Sequence, residues 1–141
     1  MTRVNWKRVW LGAAAGGVTW LVWGFVCNLV GLSSRYAAAQ AAGQFLAQPR
    51  YSFFMVGWVV SMFVAAFVLA WIYAGVRATF GAGPKTALLV GVLVGFIAGF
   101  PENFALAAWL PSSRVFPLWW MLELWVGAVL ATFVAAWLYR D

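Results

Sequence analysis

The stretch Thr86–Leu110, TALLVGVLVGFIAGFPENFALAAWL, decides the fold. Its only charged residue is Glu102. About 20 predominantly apolar residues are needed to cross a bilayer as a helix, and this run exceeds that. It shows no strict alternation and is far longer than the roughly 10 residues of a barrel strand, so it reads as a helix. Within it, Gly99-Phe100-Pro101-Glu102-Asn103 sets a proline, a carboxylate and an amide in an apolar frame. Glu123 interrupts the next apolar run in the same way, and Asp141 is the third acid of the chain.

The rest of the chain has the same character. Of 141 residues, 66% are hydrophobic and 9% charged, against about 25% charged in soluble domains. A chain this apolar needs lipid as its solvent. Backbone groups in lipid must be paired internally, which leaves helices once barrels are excluded. The formal charge of +6 comes from Lys and Arg at the ends of apolar runs, where they anchor in headgroups. Membrane lipids are therefore expected partners and nucleic acid is not. A single cysteine, Cys27, excludes an internal disulfide. The absence of histidine removes the commonest metal ligand and general base. No nucleophile elbow, P-loop, CxxC or HExxH pattern is present, so the expectation is a non-enzyme without cofactor or metal.

The reading is an all-α integral membrane protein, one membrane domain over 1–141, with spans at about 9–32, 51–76, 86–110 and 115–139. The first run follows Arg3, Lys7 and Arg8 and exceeds the 7–15-residue core of a signal peptide, so it reads as a retained span. Gly12 and Gly16 form a GxxxG pair suited to close helix approach. Gly31-Leu32-Ser33-Ser34 reads as the end of that helix, with its serines offering caps for the next element. Residues 36–48 then read as a short interfacial helix in the first external loop, with Gln40, Gln44 and Gln48 forming an external amide face at a spacing of four, closed by Pro49. Gly81-Ala82-Gly83-Pro84 and Pro111-Ser112-Ser113-Arg114 are turns. Four spans put both termini on one side. That side carries Arg3, Lys7, Arg8, Arg77, Lys85 and Arg140, against Arg35, Arg50 and Arg114 on the other, which favours cytoplasmic termini.

The chain also resembles itself. Phe63–Tyr73 aligns without gaps on Val129–Tyr139, with six of eleven positions identical, including the closing Trp71/Trp137 and Tyr73/Tyr139. Gly12 and Gly16 correspond to Gly91 and Gly95. Two repeated helical hairpins follow, related about an axis along the membrane normal. Neither Glu102 nor Glu123 has an acidic counterpart in the first copy, so symmetric packing does not require them.

Glu102 and Glu123 are each expected roughly 12 Å inside the outer boundary, at about 1.5 Å per residue. The row Gly91, Gly95, Gly99 and the row Gly127, Ala131, Ala135 suggest that both carboxylates point into the bundle. Glu102, Asn103, Glu123 and Asn28 are thus a candidate intramembrane polar site, with Arg114 and Arg50 as candidate ion-pair partners and Pro101 as a candidate hinge. Gly12, Gly16, Gly91, Gly95, Gly99 and Gly127 are candidate helix-packing positions. Three roles for the acids stay open: hydrogen-bonding glue between helices or a partner subunit, a proton- or cation-linked site in a small transporter or channel, and binding of a metal or pigment or chemistry of their own. For the last, two glutamates without histidine are a poor metal set. Among the eleven tryptophans, Trp6, Trp10, Trp71 and Trp137 fit an inner belt and Trp109, Trp119 and Trp120 an outer one. Trp20, Trp23, Trp58 and Trp125 lie deeper and suit core packing, or a wall for a quinone, carotenoid or lipid.

Asn5-Trp6-Lys7-Arg8-Val9, Trp71-Ile72-Tyr73, Phe80–Lys85 and Trp137-Leu138-Tyr139 together resemble uncharacterised four-span bacterial membrane proteins of similar length. That resemblance implies a bacterial inner-membrane location and brings no activity. The functional expectation is an accessory or structural subunit of a larger membrane assembly, or a homo-oligomer. A small proton- or cation-linked transporter using Glu102 and Glu123 is the alternative.

Overall fold

A computed structural model describes residues 4–139; Arg3, Arg140 and Asp141, which enter the charge reading above, lie outside the described residues. The elements are α1 (Trp6–Cys27), a π-helical turn (Asn28–Leu32), α2 (Ser33–Ala41), α3 (Phe54–Phe80), α4 (Pro84–Trp109) and α5 (Val115–Leu138). No strand occurs among the described residues. Four helical stretches are long and apolar enough to cross a membrane: Trp6–Ala41, Phe54–Phe80, Pro84–Trp109 and Val115–Leu138.

The first of these corrects the sequence reading. The chain does not stop at Gly31–Ser34 but passes through a π-helical turn directly into α2. The reason is local. Gly31 leaves room for the Trp119 indole, which a methyl there would overlap. Ser33 folds its hydroxyl back onto the Leu29 carbonyl at 3.1 Å, so it continues the helix rather than capping a new one. The stop comes later, at Gly43, whose φ of +71° suits glycine. The Gly43 amide donates to the Gln40 carbonyl and the Gln44 amide to the Ala39 carbonyl, the paired bonds of a Schellman cap. The interfacial helix expected over 36–48 is therefore replaced by the end of one long helix and a loop. The amide face is broken with it: Gln40 donates to the Leu46 and Ala47 carbonyls and pins the loop, while Gln44 and Gln48 lie beyond the helix.

The turns at 81–84 and 111–114 lie between helices as expected. Gly81 and Gly83 have φ of +85° and +131°, and Pro84 opens α4, where its missing N–H costs nothing. Helix α5 is the spine. It packs most extensively on α4 and then on α1; α3 packs mainly on α1, and α1 and α4 do not touch each other. Small residues set both α5 contacts. Along α1, Gly12 meets Ala135, Gly16 meets Ala131, and Gly24 meets Glu123, so each advance along α1 is matched by an equal retreat along α5. Along α4, Gly91 meets Val129, Gly95 meets Trp125 and Gly99 meets Met121, again in steps of four. Helices with backbones this close gain dispersion and polar contacts that lipid cannot supply.

Candidate functional site

Glu123 is the buried acid. It stands on the α1-facing side of α5 and is 8% exposed. Its carboxylate occupies space that only glycine leaves free: a methyl on Gly24 would sit 2.8 Å from Oε1. The α1–α5 seam below it is closed by two indoles. Trp20 Nε1 donates to the Glu123 carbonyl at 3.1 Å, and Trp23 Nε1 donates to the Leu122 carbonyl at 3.3 Å. Trp20 fits because position 127 is glycine; a methyl there would overlap its ring. The Glu123 side chain itself makes no hydrogen bond or ion pair among the described residues. Buried Cys27 and half-buried Tyr36 lie within its electrostatic reach. Above it, Leu32, Ala39 and Phe116 form a small core with Tyr36, Phe45, Trp119 and Trp120 packed around them, and Trp120 Nε1 donates to the Tyr36 hydroxyl at 3.0 Å.

The other members of the expected polar site are not gathered here. Glu102 is exposed on α4, and Asn28 is exposed on the π-helical turn. The inward-facing position on α4 belongs to Asn103, which is 5% exposed and donates to the Gly99 carbonyl of its own helix at 2.7 Å. The physical reason is register. The α5 contacts of α4 advance by four from Gly91 to Gly95 to Gly99, and the next step is residue 103. Glu102 is one residue short of it, which is about 100° around the helix. The two acids also belong to different helix pairs: Glu123 faces α1 from α5, whereas Glu102 is on α4, and α1 and α4 do not touch. No hydrogen bond or ion pair joins Glu102, Asn103, Glu123 or Asn28 to one another among the described residues. Arg50 and Arg114 are exposed and pair with neither acid. Pro101 lies inside α4, which continues through it to Trp109.

Glu102 belongs to a different row, Val90–Val94–Ala98–Glu102, again in steps of four. Val90 is buried and Val94 half-buried in the core that includes Met62 and Leu69 of α3. Ala98 and Glu102 are exposed. The row therefore starts beneath α3 and emerges from it. Residues 54–57 at the start of α3, and 51–53 just before it, are all exposed as well.

Two polar fixtures went unread in the sequence. The Tyr139 hydroxyl accepts the Asn5 amide at 2.8 Å, and the Tyr73 hydroxyl accepts the Gly83 amide at 3.1 Å. Asn5 and Gly83 are the N-cap residues of α1 and α4. The repeated Trp-x-Tyr endings were the available signal. The seating of indoles and a carboxylate against Gly24, Gly31 and Gly127 had no sequence signal beyond the glycines themselves.

Among the described residues no three metal-ligating side chains cluster. The arrangement offers one partnerless buried carboxyl, one exposed intrahelical carboxyl and a set of indole-to-backbone clamps. These features define a helical protein with four helices apolar enough to span a membrane and acids at two separate places within them. No family model matches the chain, and no curated protein or solved structure is significantly similar to it.

Proposed function

We propose that this chain is a non-enzymatic integral membrane protein that works within a larger membrane assembly, as an accessory subunit or a homo-oligomer. One observation carries the reading. Glu102 lies seven residues before the end of α4 and is exposed without a partner among the described residues. That is about 10 Å inside the helix end. A carboxylate facing hydrocarbon is costly, and a neighbouring helix that supplies a cation or an amide removes that cost. The test is particle mass by light scattering in mild detergent. The wild type runs well above the 15.5 kDa of one chain, and Glu102→Leu shifts it toward that value. A wild type that is a lone monomer refutes the proposal.

Two features of organisation belong to the same reading. The hairpin duplication is supported by Tyr73 and Tyr139, which occupy matching positions and each accept the amide of the N-cap residue opening the other hairpin. Cytoplasmic termini in a bacterial inner membrane are supported by Lys7, Arg8, Arg77 and Lys85 at one end against Arg35, Arg50 and Arg114 at the other.

A second reading rests on Glu123. A carboxyl enclosed at a helix seam with no hydrogen-bond partner is suited to exchange a proton or hold a cation, as in a small transporter. Glu123→Gln then abolishes a pH-dependent flux in vesicles while leaving particle mass unchanged. Unaltered flux removes this reading and leaves the assembly reading standing.

A further inference from the structure

The assembly reading leaves Glu123 without a task, and the surroundings of this residue restrict which ion it can take. Its side chain is 8% exposed, and its carboxyl makes no hydrogen bond or ion pair among the described residues. The carboxyl is not sealed either. Among the described residues, the buried side-chain polar atom that is both shut off from the surface and without a partner is Ser112 Oγ, not an oxygen of Glu123. The carboxyl therefore keeps an opening to the outside of the α1–α5 seam.

Space is the first restriction on the ion. A β-carbon on Gly24 would stand 2.8 Å from Glu123 Oε1. The α1 backbone thus lies against the carboxyl and leaves no room there for a hydrated cation, whereas a proton adds almost no volume. Ligand supply is the second. Calcium takes roughly six to eight oxygens, magnesium a full octahedral shell, and alkali cations are held by the carbonyls of unwound backbone. Glu102 and Asn28 are exposed elsewhere, Asn103 is bonded to its own helix, and no three metal-ligating side chains cluster among the described residues. The carbonyls are engaged too. That of Glu123 receives Trp20 Nε1 at 3.1 Å, and that of Leu122 receives Trp23 Nε1 at 3.3 Å. In the π-helical turn of α1, the Asn28 carbonyl accepts the Ser33 amide, and the Leu29 carbonyl accepts the Ser33 hydroxyl at 3.1 Å. A metal cation would meet one carboxylate and little else, and the cost of stripping its water would go uncompensated.

We propose that Glu123 is a proton-exchange site that excludes metal cations, the two indole clamps occupying backbone oxygens that sodium, potassium or magnesium would need. The proton comes from water and returns to it, so the carboxyl O–H bond is the one that forms and breaks. Few titratable groups face the site. From α1 there is Cys27 and from α2 Tyr36. The α3 side chains in the core around Trp20, Trp58 and Met62 among them, do not titrate. Helix α4 does not touch α1, and its Glu102 is exposed. This inference deepens the second reading above and rests on it for the use of the site.

Infrared difference spectroscopy of the full chain in lipid nanodiscs, titrated over pH, reads the proton directly in the carboxyl carbonyl stretch. Glu102 and Glu123 are the glutamates of the chain. Glu102→Gln made by cell-free synthesis with carbon-13 glutamate therefore carries the label at position 123 alone and alters no residue of the α1–α5 seam. The expected result is a labelled acid band that gives way to a carboxylate band as pH rises. Its midpoint stays in place when sodium, potassium or magnesium rises a hundredfold at fixed ionic strength. A competing cation would lower that midpoint by up to about two pH units. A midpoint that falls with any of the three overturns the proposal. So does a labelled carboxyl that keeps one form across the pH range in which the chain stays folded. Flux in vesicles is scored separately. A titrating band blind to cations, without pH-dependent flux, supports the site and removes the transport reading. Flux together with a midpoint that cations lower keeps the transport reading and overturns this one.

Discussion

Adding one methyl group at Gly127 should dislodge the main clamp between α1 and α5. A β-carbon there overlaps the Trp20 indole at Nε1 and Cδ1. Trp20 is 2% exposed, and its N–H holds the Glu123 carbonyl at 3.1 Å. The ring cannot give way locally, because Met62, Ala66 and Ala131 belong to the same buried cluster. Overpacking of this kind costs about 1–3 kcal/mol, and an interhelical hydrogen bond lost in a membrane about 0.6 kcal/mol more. Gly127→Ala should therefore destabilise the fold by about 2–4 kcal/mol, summing those two terms. The measurement is an unfolding titration in mixed micelles of mild detergent and sodium dodecyl sulfate. A double-mutant cycle sharpens it. Trp20→Ala alone is destabilising, but in that background Gly127→Ala has nothing to collide with and costs less than about 0.5 kcal/mol, giving a coupling above about 1.5 kcal/mol. Additive effects, or a single-mutant cost below about 0.5 kcal/mol, would refute the clamp.

Three further outcomes follow from the same geometry. Gly43→Ala places a β-carbon at φ +71°, costing about 1–2 kcal/mol locally; the loop after Ala41 becomes more readily clipped by added protease, whereas Gln44→Ala has no such effect. Tyr139→Phe removes the acceptor of the Asn5 amide, lowering stability by about 1 kcal/mol and raising hydrogen exchange at Asn5 and not at Gly83; Tyr73→Phe gives the reverse pattern. Gly75 has open space around it in α3, so Gly75→Ala is neutral or stabilising by up to about 1 kcal/mol, in contrast to Gly127→Ala in the same titration.

The four apolar runs, both short turns and the small-residue rows were legible because each rests on a local rule: length for crossing, Gly and Pro for turning, absence of Cβ for close approach. The remainder depended on partners. Gly31 reads as a helix end until Trp119 occupies the space beside it, and Ser33 reads as a cap until its hydroxyl returns to Leu29. The true stop at Gly43 was visible as a glycine but hidden in an alanine-rich run that invites a helix through to Pro49. Glu102 and Asn103 are neighbours in sequence, and the choice of which faces α5 turns on whether contacts advance by three or by four. No property of α4 alone settles that; the spacing of Val129, Trp125 and Met121 on α5 does. Glu123 could be placed at a packing seam by its spacing from Gly127, but the helix that covers it could not. Its neighbour is Gly24 of α1, not Glu102 of α4.

The same register says where a partner must dock if Glu102 is to be covered. The row Val90–Val94–Ala98–Glu102 is sheltered by α3 at its start and bare at its end. Contact between α3 and α4 is much smaller than that between α1 and α5, and residues 54–57 at the start of α3 are exposed. In a protein built from two like hairpins these would be equivalent seams, one closed and one parted at its outer half. A helix entering the parted seam would meet Ala98, the small residue that permits close approach, and would place a polar group against Glu102. In a Cys27→Ala background, Ala98→Cys should therefore form cross-links to the partner in native membranes. Val22→Cys, equally free of contacts on the exposed side of α1, should not. Comparable cross-linking from both positions would mean that the partner does not use the seam. Cross-linking from Val22→Cys alone would move the interface to α1 and leave Glu102 facing lipid, removing the main argument for assembly.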